Sequence, residues 1–537
     1  MSIGISGIVS SLCDKAFKRP SCLHEWTFED QGHLAACREM CDLSQIRVGG
    51  TKPSPIRLKP AGEMSALFRF YAIGRIPVQC RIESVSIMAA RSTARDMTSG
   101  SIVRHLILFS VPLLLGNVFQ MMYNTVDSLV VGNFVGTEAL AAVGSTTMII
   151  NMLVFFFNGM ATGAGVLIGQ SYGSHDMKKL HIAIETTMAM TFGLCVIFTI
   201  VGVAGVPYML RFMSTPDDVM EPATLYLRIY FAGITGLLIY NMGSGILRAV
   251  GDTTRPLMFL IFTSILNTIL DLVFVLVCKA GIAGVAYATI LSQFISAAMI
   301  LYLLTHTEDI YRLTWKDLRL DGPSFRLVLQ YGLPAAIQST ITAFSNVFVQ
   351  SYVNFFGSSC MAGWSCYNKI DQFIYLPMQS MAMASTTFVS QNIGAKQEER
   401  ANRGTTVSLI MIESIVLVIA TLIFILAGPA TGLFTKDTSV IAYGTLFLRQ
   451  NVYFLCFNCV NHVLAGALRG RGDSTGPMVI MTGSFVGLRQ IYLFLATRLV
   501  ANTERIVGFG YPVGWTVCCI IEVAYFYFRW LRKSKKR

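Results

Sequence analysis

Leu247–Leu257 reads LRAVGDTTRPL, and Leu468–Met478 reads LRGRGDSTGPM. The two stretches begin 221 residues apart (468 − 247). The same offset relates QSYG at Gln170–Gly173 to QNIG at Gln391–Gly394, and Leu227–Arg228 to Leu448–Arg449. It also relates GNFVGTEALAA, centred on Gly136, to VNFFGSSCMAG, centred on Gly357. Four matches in order, without drift, point to two homologous halves in tandem. The period far exceeds the roughly 20–50 residues of a solenoid repeat.

The composition says what solvent these halves inhabit. Of 537 residues, 53% are hydrophobic and only 13% charged, against about 25% charged in a soluble chain. From about residue 106 onward, apolar stretches near the ~20 residues needed to cross a bilayer alternate with short polar loops. They fall at 106–131, 142–168, 185–206, 222–247, 256–278, 282–304, 327–356, 361–393, 405–427, 439–468, 477–497 and 508–528. The expected fold is therefore an all-α polytopic membrane protein. It has twelve transmembrane helices in two six-helix bundles, since helices of this length satisfy their own backbone hydrogen bonds in lipid. In membrane proteins such repeats mark transporters that rock one half against the other around a central site.

Basic residues set the orientation. The even-numbered loops (2–3, 4–5, 6–7, 8–9, 10–11) and the tail hold 19 Lys and Arg, the opposite loops 5. The positive-inside rule then places both ends of the core in the cytoplasm, in a plasma membrane. The net charge of +12 needs no nucleic-acid partner, because this loop bias and the tail RWLRKSKKR, suited to anionic lipid, explain much of it. The expected organisation is an extension over 1–97, a first lobe over 98–304, a linker over 305–326, a second lobe over 327–530 and a basic tail over 531–537. The linker is expected to form an amphipathic helix, with Ile310, Leu313, Leu318 and Leu320 on the membrane and Arg312, Lys316 and Arg319 facing phosphate. Residues 1–96 lack the order of a secretory signal, and Met97 opens MTSGSIVRHLILFSVP, a natural start for a polytopic protein. Translation beginning at Met97 and a genuine N-terminal tail are the two readings. The first predicts that a chain starting at Met97 inserts and transports like the full chain; such a chain made but inactive would show that the extension has a role.

Ionisable side chains inside a membrane helix are costly and usually face the bundle interior. Asp127 lies in span 1, Asp271 in span 5, Lys369 and Asp371 in span 8, Glu413 in span 9 and Glu522 in span 12. Asn267 and Asp271, four apart, share a helix face. Asn241 and Thr289 could join them, and with Asp127 make a polar network inside the first bundle. Shielding from water disfavours the charged form of a carboxylate, so an acid there could take up and release a proton; a plain helix–helix hydrogen bond is the alternative. Pro112 and Pro334 occupy matching places in spans 1 and 7 and can bend them, as moving parts or as static kinks. Clusters such as Gln120–Tyr123 and Phe155–Met160 could line an adaptable cavity or simply pack. Cys456 and Cys459 form an isolated CxxC in an apolar helix, which suits packing better than a four-ligand zinc site.

The sequence resembles the multidrug and toxic compound extrusion (MATE) family over about residues 98–530. The resemblance rests on the proline early in span 1, YNTVDSLVVGNFVG, GQSYG, LRAVGDTTRP, NTILD, AYATILSQ, KIDQFIYLPMQS, SQNIGA and LRGRGDSTGP. It implies a V-shaped pair of lobes about a pseudo-twofold axis, exporting organic cations and other amphiphiles in exchange for protons or sodium. It marks Asp127, Asn267 and Asp271, with Asn241 and Thr289, as a first-lobe ion site. Another branch of the family uses acids in spans 7 and 10. Here those spans carry Asn346, Gln350, Asn458, Asn461 and His462 and no Asp or Glu, so the chain resembles the DinF-like, first-lobe-coupled branch.

Candidate substrate-cavity residues are Gln120, Tyr123, Met160, Asn346, Gln350, Lys369, Asp371 and Gln372. The cavity between the lobes is expected to carry little positive charge, with Lys369 the main basic residue in mid-membrane. Lipid-linked sugar flippases of the same superfamily are the alternative; their cavities are often basic. No HExxH is present, so no enzyme is expected, and no filter sequence suggests a channel. The expected partners are the bilayer and small amphiphiles, the protein a monomer without cofactor beyond its coupling ion.

Overall fold

A computed structural model of the chain describes residues 94–213 and 215–532. The expectations for residues 1–93 and for the tail over 533–537 lie outside the described residues.

Twelve helical spans follow one another, with no strand among the described residues. They are α1 (Ile102–Val135), α2 (Thr137–Gly173), α3 (Met177–Phe212), α4 (Asp217–Ala232 and Ile234–Ala249), α5 (Thr254–Val277) and α6 (Gly281–His306). The second series is α7 (Gly322–Asn354), α8 (Ser358–Gly394), α9 (Glu398–Gly432), α10 (Thr438–Gly470), α11 (Thr475–Leu499) and α12 (Glu504–Trp530). Among the described residues nine helices are long and apolar enough to cross a membrane, and ten if the two pieces of α4 count as one. α4 bends by 50° between its pieces, at Gly233, which lies against the Ile290 side chain. The remaining two, α7 and α8, are long enough but more polar. Their sequences carry Gln338, Ser345, Asn346 and Gln350, then Tyr367, Lys369, Asp371 and Gln372.

The duplication extends to single backbone angles. Gly136 (φ 125°) and Gly357 (φ 86°) open α2 and α8, in a region where an L side chain is strained. Gly251 and Gly472 turn the chain at φ 89° and 85°, and His175 and Lys396 share φ 54° and 59°. Each pair is 221 residues apart.

The lobes interlock. Leu106 and Phe109 at the start of α1 pack in the second-lobe core with Ile374, Met378 and Met381. Val328 and Ala336 of α7 pack in the first-lobe core. Gly159 and Gly163 on α2 let its backbone touch that of α7. A Cβ on Gly159 would overlap Ala336, and one on Gly163 would overlap Gly332. Nearer the basic loops the repeated motifs meet each other. A Cβ on Gly173 would overlap the Gln391 carbonyl, and one on Gly394 the Gln170 carbonyl. The Gln170 side chain donates to Gly470 O (3.0 Å), and Gln391 donates to Ala249 O (2.9 Å).

The linker corrects one expectation. Residues 305–326 do not form an amphipathic helix; beyond α6, their regular structure before α7 is one turn at Trp315–Asp317. Tyr311 and Leu313, 0% and 1% exposed, are drawn into the first-lobe core. The Tyr311 hydroxyl donates to Asp309 Oδ2 (2.8 Å) and accepts from Arg255 Nη1 (2.8 Å). Leu313 therefore cannot lie on the membrane as expected, and the segment is a strap tied to the lobe.

Candidate functional site

Three helices bring the first-lobe acids together. Asp271 on α5 is 0% exposed and Asn267, one turn earlier, 1%. With its amide oriented to satisfy both neighbours, Asn267 donates to Asp271 Oδ2 (2.9 Å) and accepts from Thr289 N of α6 (3.3 Å). Asp127 of α1 faces Asp271 closely enough for their carboxyl groups to share a hydrogen bond. Two carboxylates offer only acceptors, so that bond requires a proton on one of them. The Oδ1 atoms of both acids are buried without a partner. Each acid is followed within one turn or so by a π-helical turn, Val131–Val135 in α1 and Val273–Val277 in α5. Such turns recur at functional sites because they re-aim side chains within a helix.

A cavity of about 70 Å³ lies against Asn267 and Thr289, with Gln120, Tyr123 and Gln293 among its other lining residues. It has room for a few waters or an ion, and none for a drug-sized molecule, which needs about 300 Å³ or more. Gln120 and Tyr123, expected on the substrate cavity, line this small cavity with Asn267 and Thr289. Asn241 is buried, but its amide donates to Leu237 O in its own helix (2.9 Å). Met160 is 2% exposed, its backbone against Gly332, and Phe157 packs on Phe198 at 4.8 Å between ring centroids. The Phe155–Met160 cluster contributes these two to the core and not to a cavity.

In the second lobe the expected residues do not form one set. Gln350 donates to Asn354 of its own helix (2.8 Å). Lys369 is exposed, 5.5 Å from the centroid of the Phe434 ring. Asp371 is half-buried with Oδ1 unpartnered, and Gln372 is exposed. Asn346 accepts from Arg489 Nη2 (3.0 Å). Arg489, on α11, is 3% exposed. The expectation that Lys369 is the main basic residue in mid-membrane is therefore corrected. Arg489 stands within span 11 and belongs with the ionisable residues of the spans named above, which did not include it. Glu522 is 0% exposed and accepts from Cys518 Sγ (3.8 Å), and Cys459 packs fully buried in the same core. Pro112 and Pro334 lie inside α1 and α7.

The comparisons with known proteins agree with this arrangement. The MatE family profile matches the chain twice, over residues 112–273 and 334–495. The chain belongs to the MatE family. A probable multidrug resistance protein of Bacillus subtilis, YpnP, is 30% identical over 444 residues, covering 82% of this chain and 97% of that protein. A second from the same organism, YoeA, is 29% identical over 446 residues, covering 81% and 96%. The fold is that of a multidrug resistance MATE transporter solved in an outward-facing conformation (TM-score 0.77, 22% identity, covering 83% of this chain and 99% of that one). This MATE chain is thus a multi-pass membrane protein of a transporter family, built from twelve helical spans.

The hydrogen-bonded network predicts non-additive mutants. Asp271→Asn and Asn267→Ala should each weaken transport. Combined with Asp127→Asn, each should add little, because groups in one network couple, by about 0.5–3 kcal/mol. Losses that simply add in a double-mutant cycle would assign the three residues to independent sites.

Proposed function

We propose that this MATE protein is a secondary antiporter of the plasma membrane. It exports organic cations and other amphiphiles by alternating access, in exchange for protons. The observation that carries the proposal is the Asp127–Asp271 pair, a half-buried and a buried carboxyl facing each other, with a water-sized cavity against the Asn267 that bonds Asp271. A pair that holds one proton in one helix arrangement and none in another couples proton movement to lobe movement; sodium could replace the proton at the same oxygens. The names of the relatives, probable multidrug resistance proteins, support the substrate class. The basic loops support an orientation with both ends of the core in the cytoplasm. No cofactor beyond the coupling ion enters the mechanism, and a monomer suffices.

The test is dye efflux from sealed vesicles with a proton gradient and a sodium gradient imposed separately. Export driven by the proton gradient alone is expected. Gradient-independent flux, or flipping of a lipid-linked anion with no dye exported, would overturn the proposal.

A further inference from the structure

The second lobe holds a cation that the coupling scheme does not use. Arg489 follows a π-helical turn, Gly483–Leu488, and its guanidinium is buried. Nη2 donates to Ser345 Oγ (2.6 Å) and Asn346 Oδ1 (3.0 Å), both neutral acceptors on α7. The guanidinium carbon stands 4.8 Å from the centroid of the Tyr511 ring on α12. Nε has no partner. No ion pair within 4.0 Å among the described residues includes Arg489. Tyr367 on α8, within electrostatic reach of both Asp371 and Arg489, is 2% exposed. Asn346 is exposed, so the cluster has an open edge above a buried floor.

A full charge buried among neutral acceptors is costly unless a counter-charge completes it. A guanidinium carries five donors in a planar fork. A carboxylate or phosphate matches that fork two oxygens at a time, with bonds roughly twice as strong as those to neutral groups. The tyrosine face beside it suits an aromatic or amphiphilic body. We propose that Arg489, Ser345, Asn346, Tyr367 and Tyr511 form an anion subsite in the second lobe, which receives the carboxylate or phosphate of an amphiphile. The acid group belongs either to a transported substrate or to a phospholipid headgroup. The subsite deepens the efflux proposal and rests on it for the route of entry. Its test is therefore binding without any gradient, so that failure of the subsite and failure of transport are told apart.

Trp364 is a reporter in place, its ring 4.9 Å from Tyr367 and 5.6 Å from Tyr511 between centroids. The probes are a xanthene dye with a free carboxylate and its methyl ester, titrated into the purified full chain in phospholipid-free detergent. Quenching lost in Trp364→Phe isolates the local signal. The acid should bind about tenfold more tightly than the ester, the equivalent of one good charged contact. Arg489→Gln should erase that preference and leave ester binding within about twofold. Asn346→Asp, at an exposed position, places a carboxylate beside the guanidinium and should erase it too, whereas Asn346→Ala should keep it. This variant decides the matter even if Arg489→Gln fails to fold. Equal affinity of the wild type for acid and ester, or a preference that survives Asn346→Asp, overturns the subsite. Added phosphatidylglycerol that displaces the acid dye only when Arg489 is present assigns the subsite to a headgroup. Acid binding undisturbed by that lipid assigns it to substrate.

Discussion

Asp127→Asn should abolish proton-driven export while the protein still folds and reaches the membrane. Asparagine has nearly the volume of aspartate, and its amide can donate to Asp271, so the contact between α1 and α5 survives. What it lacks is an exchangeable proton on the carboxyl. In the wild type the hydrogen bond between Asp127 and Asp271 exists only while one of them is protonated. Losing that proton leaves two negative charges facing each other, which drives the helices apart. In Asp127→Asn the contact no longer depends on the proton, and the drive is gone. Export from proteoliposomes with an imposed pH gradient should fall to that of empty vesicles, with yield and thermal stability unchanged. Export at the wild-type rate would remove Asp127 from the coupling mechanism.

Gly163→Ala should be strongly destabilising, whereas Gly193→Ala should be mildly stabilising. Both glycines sit inside long helices, where alanine is the better helix former by about 1 kcal/mol. At Gly193 the new methyl meets nothing within 4 Å, and the propensity gain stands alone. At Gly163 it would overlap the backbone of Gly332. Backbone cannot rotate away as a side chain can, so α2 and α7 must part. Overpacking of this kind costs about 1–3 kcal/mol, and a backbone neighbour puts Gly163 at the upper end. The opposite signs are read by thermal unfolding of the two purified variants side by side. A Gly163→Ala protein as stable as the wild type would show that α2 and α7 do not pack as closely as described.

Much of this was legible in the sequence, and the gaps have physical causes. Hydropathy located the twelve spans because lipid imposes a composition on each. It missed the polar ends: α2 runs on to Gly173 and α3 begins at Met177, since a helix continues past the lipid wherever its backbone can bond to itself. The Asn267–Asp271 spacing gave the α5 half of the coupling site, because four residues is a helix repeat. Asn241 was less legible. Which carbonyl its amide finds, Leu237 of its own helix, depends on how α4 packs around the break at Gly233. The linker's alternation of apolar and basic residues looked membrane-bound, yet the same pattern fits a strap whose Tyr311 and Leu313 enter a protein core. Arg489 was in plain view in span 11, a basic residue in mid-span that the reading of ionisable side chains passed over.

The joint between QSYG and QNIG is self-complementary. Gly173 meets Gln391, Gly394 meets Gln170, and each glutamine side chain reaches the helix end that is the other's counterpart. That is the signature of an isologous interface, the kind formed by two identical subunits about a twofold axis. A single half therefore carries both sides of the contact. Two separate copies of a half-length ancestor could have closed against each other before any fusion joined them. After fusion, the lobes were free to diverge in their charged interiors, one gaining an acid pair and the other a buried arginine. They were not free at this joint, where a larger residue in either copy would collide with its twin.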